Sequence, residues 1–255
     1  IRNYEMLICA DLFARGFTLV LLCLTCRDIV FKKVSNICSG VRDAWCNIAV
    51  GSKLMVANIA SLLITGIVRL AIENHWSIET FGKVSLTMTV SNLLMVFINA
   101  VSIVMYPVLK NTDETKLPEV YATLRGMLMI PVLGLLILYY PAKVLLSAWL
   151  PQYAESLKYM ALLFPMCVFE SKMSMLINTY LKALRKEKVI MWVNWLTVII
   201  TLGTTGVCVY ICNSLTFSIA SLAVLLGIRC MVSELVLARI LHIRVFRDVI
   251  LEFML

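Results

Sequence analysis

The amino-acid sequence predicts an all-α fold, a polytopic membrane helix bundle with about seven transmembrane helices. Hydrophobic residues make up 61% of the 255 residues, and charged residues make up only 15%. The mean hydropathy is +0.92, whereas a typical soluble domain is about 45–50% apolar and about 25% charged. Apolar windows long enough to cross a bilayer as α-helices also recur along the chain. The composition therefore excludes a soluble globular domain.

Seven of these apolar windows are predicted to span the membrane. They lie at about 4–26, 54–72, 84–109, 127–142, 159–181, 189–211 and 217–238. The chain begins with Ile rather than Met, and its first window carries Glu5, Asp11 and Arg15, unlike a cleavable signal peptide. We interpret the sequence as a fragment of a longer protein.

The basic residues predict the orientation, because Lys and Arg accumulate on the cytoplasmic side of membrane proteins. If residue 27 is cytoplasmic, four of the 23 basic residues lie on the opposite side: Arg2, Lys83, Lys143 and Lys158. Four more lie within spans: Arg15, Arg69, Lys172 and Arg229. The other 15 lie on cytoplasmic loops and helix ends. The formal charge of +8 thus follows from topology, and we expect no nucleic-acid partner.

Three segments are predicted along the chain. Residues 1–53 hold the first span and a connector, residues 54–241 form a six-helix bundle, and residues 242–255 form a cytoplasmic tail. Within 27–53, apolar residues recur every three or four positions among basic ones. This spacing predicts an amphipathic helix on the cytoplasmic membrane surface, a hinge between two bundles. Residues 141–158, bounded by prolines, are predicted to lie outside without spanning.

Polar residues form stripes on the second and third spans. At about 100° per residue, one face of the second span carries Asn58, Ser61, Thr65 and Arg69, followed by Glu73. One arc of the third span carries Ser85, Thr89, Asn92, Asn99 and Tyr106. Such faces turn toward protein or water, because an unsatisfied polar group in hydrocarbon costs several kcal/mol.

The stripes leave two interpretations open. The serines and threonines could be contacts between helices rather than cavity-lining groups. Arg69 could bind an anion or could pair with Glu73, four residues on. Asn92 and Asn99, one heptad apart, could bind sugar hydroxyls or only each other.

Further charges lie within the later spans and are candidate charge or coupling sites. Glu170, Ser174, Asn178 and Lys182 recur every four residues, whereas Lys172 lies about 200° away from Glu170. Arg229 lies near mid-depth of the last span, and a structural ion pair between Arg229 and Glu170 is possible. Asp11 and Arg15 are expected to pair within the first span.

One stretch of the chain resembles a known family. Residues 51–110 read GSKLMVANIASLLITGIVRLAIENHWSIETFGKVSLTMTVSNLLMVFINAVSIVMYPVLK. This stretch resembles the corresponding part of lipid-linked oligosaccharide flippases. The shared features are the Gly-containing entry, the ANIAS segment, the Arg near the outer end, the W…FG loop and the final YPVLK. These flippases form the polysaccharide-transporter branch of the multidrug/oligosaccharidyl-lipid/polysaccharide exporter superfamily. The resemblance continues more weakly to about residue 240.

The resemblance implies two six-helix lobes around a central cavity, of which this chain supplies the last helix of the first lobe and the whole second lobe. It also implies alternating-access translocation of an undecaprenyl-pyrophosphate-linked oligosaccharide, for O-antigen, capsule or another surface polysaccharide. The implied location is the bacterial inner membrane, with membrane lipids and the polysaccharide polymerase machinery as partners. The implied substrate-binding residues in the cavity are Arg69, Asn58, Asn92 and Asn99. A guanidinium suits the phosphate because it pairs in a bidentate manner.

Other classes of protein fit the sequence less well. An ion-coupled multidrug or cation antiporter of the same superfamily would use membrane carboxylates, such as Glu170 and Glu234. A seven-helix receptor would carry an acidic-Arg-aromatic end on its third span, which is missing here. The histidines, His75 and His242, are predicted on opposite sides of the membrane, so we expect no enzyme and no catalytic residues. Cys23-x-x-Cys26 has no second pair, so we expect no metal or cofactor.

Overall fold

The computed structural model describes residues 4–25, 27, 37–113, 115–137, 139–149, 157–241 and 243. Within these ranges every regular element is helical, which confirms the all-α prediction. The chain divides into two compact units, Ile1–Ala49 and Val50–Leu255. Of the predicted tail 242–255, only residue 243 is described.

The first unit contains α1, Tyr4–Thr25. Large apolar side chains such as Phe13 and Leu19 are exposed on this helix. Its two central charges pair with each other, since Arg15 Nε lies 2.8 Å from Asp11 Oδ2. The pairing predicted from their spacing of four residues is therefore confirmed.

The second helix, α2, runs from Ile37 to His75 as one element of 39 residues. The described part of the predicted surface helix, 37–53, is thus the start of α2 rather than a separate helix. No proline interrupts the sequence between the two, so the backbone hydrogen bonds continue through the predicted boundary. Residues 28–36 of the predicted connector lie outside the described ranges.

The remaining helices belong to the second unit. They are α3 (Ile78–Lys110), α4 (Leu117–Ile137), α5 (Tyr139–Trp149), α6 (Leu157–Lys172), α7 (Thr179–Ala183), α8 (Glu187–Gly206) and α9 (Leu215–Ile240). A π-helical segment, Met173–Asn178, joins α6 to α7, and a second one, Val207–Ile211, follows α8. The helix α4 begins ten residues before the predicted span at 127. Leu117 is buried in the core, and this burial extends the helix beyond the apolar window.

Five helical stretches within the described ranges are long and apolar enough to cross a membrane. They are Ile8–Thr25, Gly40–His75, Met160–Ala183, Glu187–Ile211 and Leu215–Ile240. Each of them contains most of one predicted window. The windows 84–109 and 127–142 fall on α3 and on α4 with α5, whose described parts do not qualify. The prediction of several helices long and apolar enough to cross a membrane is therefore confirmed, and the count of seven is not confirmed.

Two apolar clusters fill the second unit. The Ile72 cluster includes Ala60, Ile64, Ile72, Met166 and Leu226 among its buried residues. The Tyr180 cluster includes Ala57, Met173, Tyr180, Cys230 and Leu237. On each helix that contributes residues to both clusters, a polar residue lies between the two contributions. Glu170 and Arg229 are examples. Glu170 and Arg229 therefore lie in a polar layer between two apolar clusters.

Contacts between loops show which helix ends lie together. His75 Nε2 is 2.9 Å from Asn213 Oδ1, so the turns around 77 and 214 share one end of the second unit. Leu109, Leu117, Leu181 and Ile190 pack in the Tyr180 cluster, so the turns around 113 and 186 share the other end. This grouping of the loops is the one predicted from the basic residues.

Chemical labelling tests which end is cytoplasmic. With single cysteines on a background free of native Cys, positions 77 and 214 are expected to react from outside and positions 113 and 186 from the cytoplasm. The reason is the excess of Lys and Arg near 113 and 186. Reaction of positions 77 and 186 from the same side would contradict the topology. The predicted outer position 152 lies outside the described ranges.

Candidate functional site

A groove of about 470 Å³ lies between α2, α3, α9 and the helical run from α6 to α7. Its lining residues are Asn58, Ser61, Leu62, Thr65, Asn92, Met95, Asn99, Met166, Cys167, Glu170, Ser174, Asn178, Lys182 and Arg229. Ten of these 14 residues are polar or charged, in a chain that is 61% hydrophobic. The predicted polar faces therefore meet around one shared space.

The α2 wall of the groove carries most of the predicted stripe. Asn58, Ser61 and Thr65 line it. Thr65 Oγ1 donates to the carbonyl of Leu62 at 3.1 Å, so this hydroxyl is satisfied within its own helix. Ser61 Oγ instead accepts a hydrogen bond from α9. The serine thus joins two helices, as the helix-contact interpretation expected, while it also faces the groove.

The α3 wall carries Asn92 and Asn99, which do not bind each other. Asn99 Oδ1 accepts a hydrogen bond of 2.7 Å from Ser174 Oγ. The amides of Asn58 and Asn92 are exposed, and no hydrogen bond joins either amide to another side chain in the described ranges. These two amides are therefore available to a ligand.

The third wall is the stripe Glu170, Ser174, Asn178 and Lys182, and all four residues line the groove. In an α-helix, residues four apart drift by about 40° per step. A π-helix has more residues per turn, so four residues make less than a full turn. Because Met173–Asn178 is π-helical, the two drifts offset each other. The stripe stays on one face over three steps.

Arg229 is held by three helices at mid-depth. Its Nε donates to Asn194 Oδ1 at 3.0 Å, its NH1 to Glu170 Oε1 at 3.0 Å, and its NH2 to Ser61 Oγ at 3.1 Å. The residue is only 3% exposed. The predicted ion pair between Arg229 and Glu170 is confirmed.

Asn194 on α8 holds Arg229 and was not predicted from the sequence. Besides accepting from Arg229, it donates through Nδ2 to the carbonyl of Ala57 at 2.8 Å. It lies on a face that continues with the buried Thr197 and Thr201. A polar stripe within an apolar window is a signal that could have identified it.

A second charged cluster lies apart from the groove. Glu234 Oε1 is 3.0 Å from Arg125 Nε, and Glu234 Oε2 is 2.7 Å from Lys172 Nζ. Tyr121 OH also donates to Glu234 Oε1 at 2.9 Å. Lys172 therefore faces away from Glu170, as its 200° separation predicts. Arg125, predicted at a cytoplasmic helix end, lies instead inside α4, because that helix begins early.

Arg69, which the resemblance implied as a cavity residue, is not among the residues that line the groove. Its Nε lies 3.0 Å from Met88 Sδ. Within the ranges that the structure describes, no ion pair within 4 Å joins Arg69 to Glu73. The angular prediction was sound, since Arg69 is only about 20° from Asn58 around the helix. It is also about 16 Å farther along the axis, where the buried Met88 of the Ile72 cluster covers this face.

Comparison with family models, with curated proteins and with solved structures finds no match to this chain.

Proposed function

We propose that this chain is part of a transporter that moves a lipid-linked oligosaccharide across a membrane by alternating access. The observation that carries the proposal is the groove, in which ten of 14 lining residues are polar. Residues elsewhere on the same helices, such as Ile103 of α3 and Val224 of α9, expose apolar side chains. A polar path beside an apolar surface suits a cargo with a sugar head and a lipid tail.

The available amides support a sugar ligand. A carboxamide offers both a donor and an acceptor, and sugar hydroxyls require both. The volume of about 470 Å³ falls within the range of about 300–1,000 Å³ that is usual for ligand pockets. The lipid tail could stay in the bilayer while the sugars follow the groove.

The finer parts of the proposal follow from the family resemblance. They are an undecaprenyl-pyrophosphate carrier, a bacterial inner-membrane location, and a chain with seven spans that supplies one helix of a first lobe and a complete second lobe. The polysaccharide polymerase machinery would receive the cargo.

An ion-coupled antiporter is the second candidate, because the carboxylate of Glu170 lines the groove. The Arg229 guanidinium is already its counter-ion at 3.0 Å. A transported cation would have to compete with this buried guanidinium. The groove therefore favours the oligosaccharide over the cation.

The test replaces the two available amides in the full-length protein. In a strain whose surface polysaccharide depends on it, Asn58→Ala with Asn92→Ala is expected to lower surface polymer about tenfold or more. Each lost hydrogen bond contributes about 0.5–1.5 kcal/mol, and each amide makes several. The matched control is Asn111→Ala, an exposed residue at the end of α3. Polymer is quantified by immunoblot, with membrane-inserted protein measured alongside.

Arg69→Ala provides a comparison in the same strain. Because Arg69 lies outside the groove, its loss is expected to lower polymer less than the amide substitutions do. Normal polymer in the double amide variant, with normal insertion, would reject the proposed function. Loss of drug resistance without loss of polymer would favour the antiporter.

A further inference from the structure

Among the residues that the structure describes, one cation in the groove, Lys182, has no carboxylate partner. Its charged lining residues are Glu170, Lys182 and Arg229. Glu170 and Arg229 pair at 3.0 Å, which leaves one positive charge. Across the described ranges, no carboxylate lies within ion-pair distance of Lys182. The net charge of the groove is therefore located at Lys182.

Lys182 lies at one end of the groove, in the short helix α7. It is 12 residues from Glu170, roughly 18 Å along a helix axis. An anion bound at Lys182 would thus not meet the carboxylate of Glu170. One helical turn before it, Asn178 has a buried Oδ1 that lacks a hydrogen-bond partner. A charged donor and an unsatisfied acceptor therefore stand together at this end.

Three other cations within the second unit are engaged elsewhere or lie outside the groove. Arg229 has hydrogen bonds at all three guanidinium nitrogens, and Lys172 is 2.7 Å from Glu234. Arg69 lies outside the groove, against Met88. A phosphate that entered the groove would meet the ammonium of Lys182 without breaking an existing ion pair.

We propose that Lys182 binds the phosphate or pyrophosphate group of a prenyl-linked cargo, while the attached sugars extend along the groove toward Asn99 and Asn92. This inference rests on the proposed function for the identity of the sugars. The ammonium donates to phosphate oxygens as a charged group.

The experiment measures binding of farnesyl pyrophosphate to the purified full-length protein in nanodiscs, by thermophoresis. Lys182→Met is expected to raise the Kd about 10- to 100-fold, the loss expected for a charged hydrogen bond. Lys182→Arg, which keeps the charge, is expected to stay within about threefold of the wild type. The control is Lys188→Met, because Lys188 is exposed and lies outside the groove. Equal Kd values for wild type and Lys182→Met would overturn the proposal.

Two further probes distinguish the source of the phosphate. Inorganic pyrophosphate is expected to bind more weakly than farnesyl pyrophosphate, and phosphatidylglycerol is expected not to displace the latter. If pyrophosphate binds equally well through Lys182, the site takes a soluble anion and the prenyl-linked proposal is wrong. If phosphatidylglycerol displaces the probe, the site is one for phospholipid headgroups, and the proposal is equally wrong.

The binding measurement tests the anion site at Lys182, and the polymer measurement tests the oligosaccharide cargo, so one proposal can be rejected while the other stands. If farnesyl pyrophosphate binding depends on Lys182 while polymer does not depend on Asn58 and Asn92, the anion site stands and the oligosaccharide cargo is rejected. If polymer depends on the two amides while binding is unchanged in Lys182→Met, only the anion site is rejected. A thermal unfolding midpoint close to that of the wild type shows that each variant is folded.

Discussion

Replacing Arg229 with methionine is expected to lower the free energy of unfolding by about 3–5 kcal/mol. The side chain is buried and bonded to Glu170, Asn194 and Ser61 on three different helices. Its loss would strand the Glu170 carboxylate without a counter-ion and leave the Asn194 carbonyl without its donor. Breaking a buried pair from one side costs more than the pair contributes, because the remaining charge stays desolvated.

A double variant separates this penalty from a simple loss of packing. Arg229→Met with Glu170→Gln is expected to recover more than half of the lost stability, since no charge remains stranded. Thermal unfolding in detergent, followed by size-exclusion chromatography, measures each variant. Arg239→Met is the matched control, an exposed arginine in the last turn of the same helix. Additive effects of the two substitutions would show that the pair is not coupled.

The Glu170→Gln single variant also distinguishes the two candidate functions. If Glu170 mainly balances Arg229, transport should fall partly and protein yield should fall with it. An antiporter would lose transport completely, because a mid-membrane carboxylate would be its coupling site. Complete loss of drug resistance with normal folding would therefore reject the flippase.

Replacing Glu234 with glutamine is expected to destabilise the protein by a similar amount, about 3–5 kcal/mol. This carboxylate is 1% exposed and contacts Arg125, Lys172 and Tyr121. Glutamine keeps the shape and an acceptor for Tyr121, so the change removes mainly the charge. Tyr121→Phe, which removes one hydrogen bond to a charged group, should cost less, about 1.5–3 kcal/mol.

Amide hydrogen exchange locates the effect of Glu234→Gln. The cluster joins α4 to α6 and α9, so protection of amides in α4 is expected to fall most. The control is Glu119→Gln, because Glu119 is exposed in the first turn of α4. Unchanged protection of α4 together with an unchanged unfolding midpoint would contradict a structural role for the cluster.

The polar stripes illustrate what could be predicted from sequence. Residues such as Asn58, Asn92 and Asn99 were placed on the correct faces, and the stripe from Glu170 to Lys182 lines the groove throughout. Angular position around a helix depends only on spacing along the chain. The pairing of Arg229 with Glu170 was also accessible, because two opposite charges in apolar spans need partners.

Depth and helix boundaries were harder to predict. Arg69 has the correct angle, but it lies beyond the end of the groove, against Met88. Arg125 was placed at a helix end because the apolar window begins at 127, whereas α4 begins at Leu117. A hydropathy window detects only the apolar part of a helix. Tertiary packing can extend the helix through polar residues at its ends, so the window gives the wrong boundary.

The sequence alone determined that this chain is helical, that several helices are apolar enough for a membrane, and that some of them carry polar faces. These are local properties, read from composition and from a period of 3.6 residues. Only the tertiary structure decided that Glu234 pairs with Arg125 and Lys172, that Lys182 lines the groove without a carboxylate partner in the described ranges, and that Asn194 holds Arg229. Partners depend on which helices pack side by side and at what depth, and that choice is made by contacts distant in the chain.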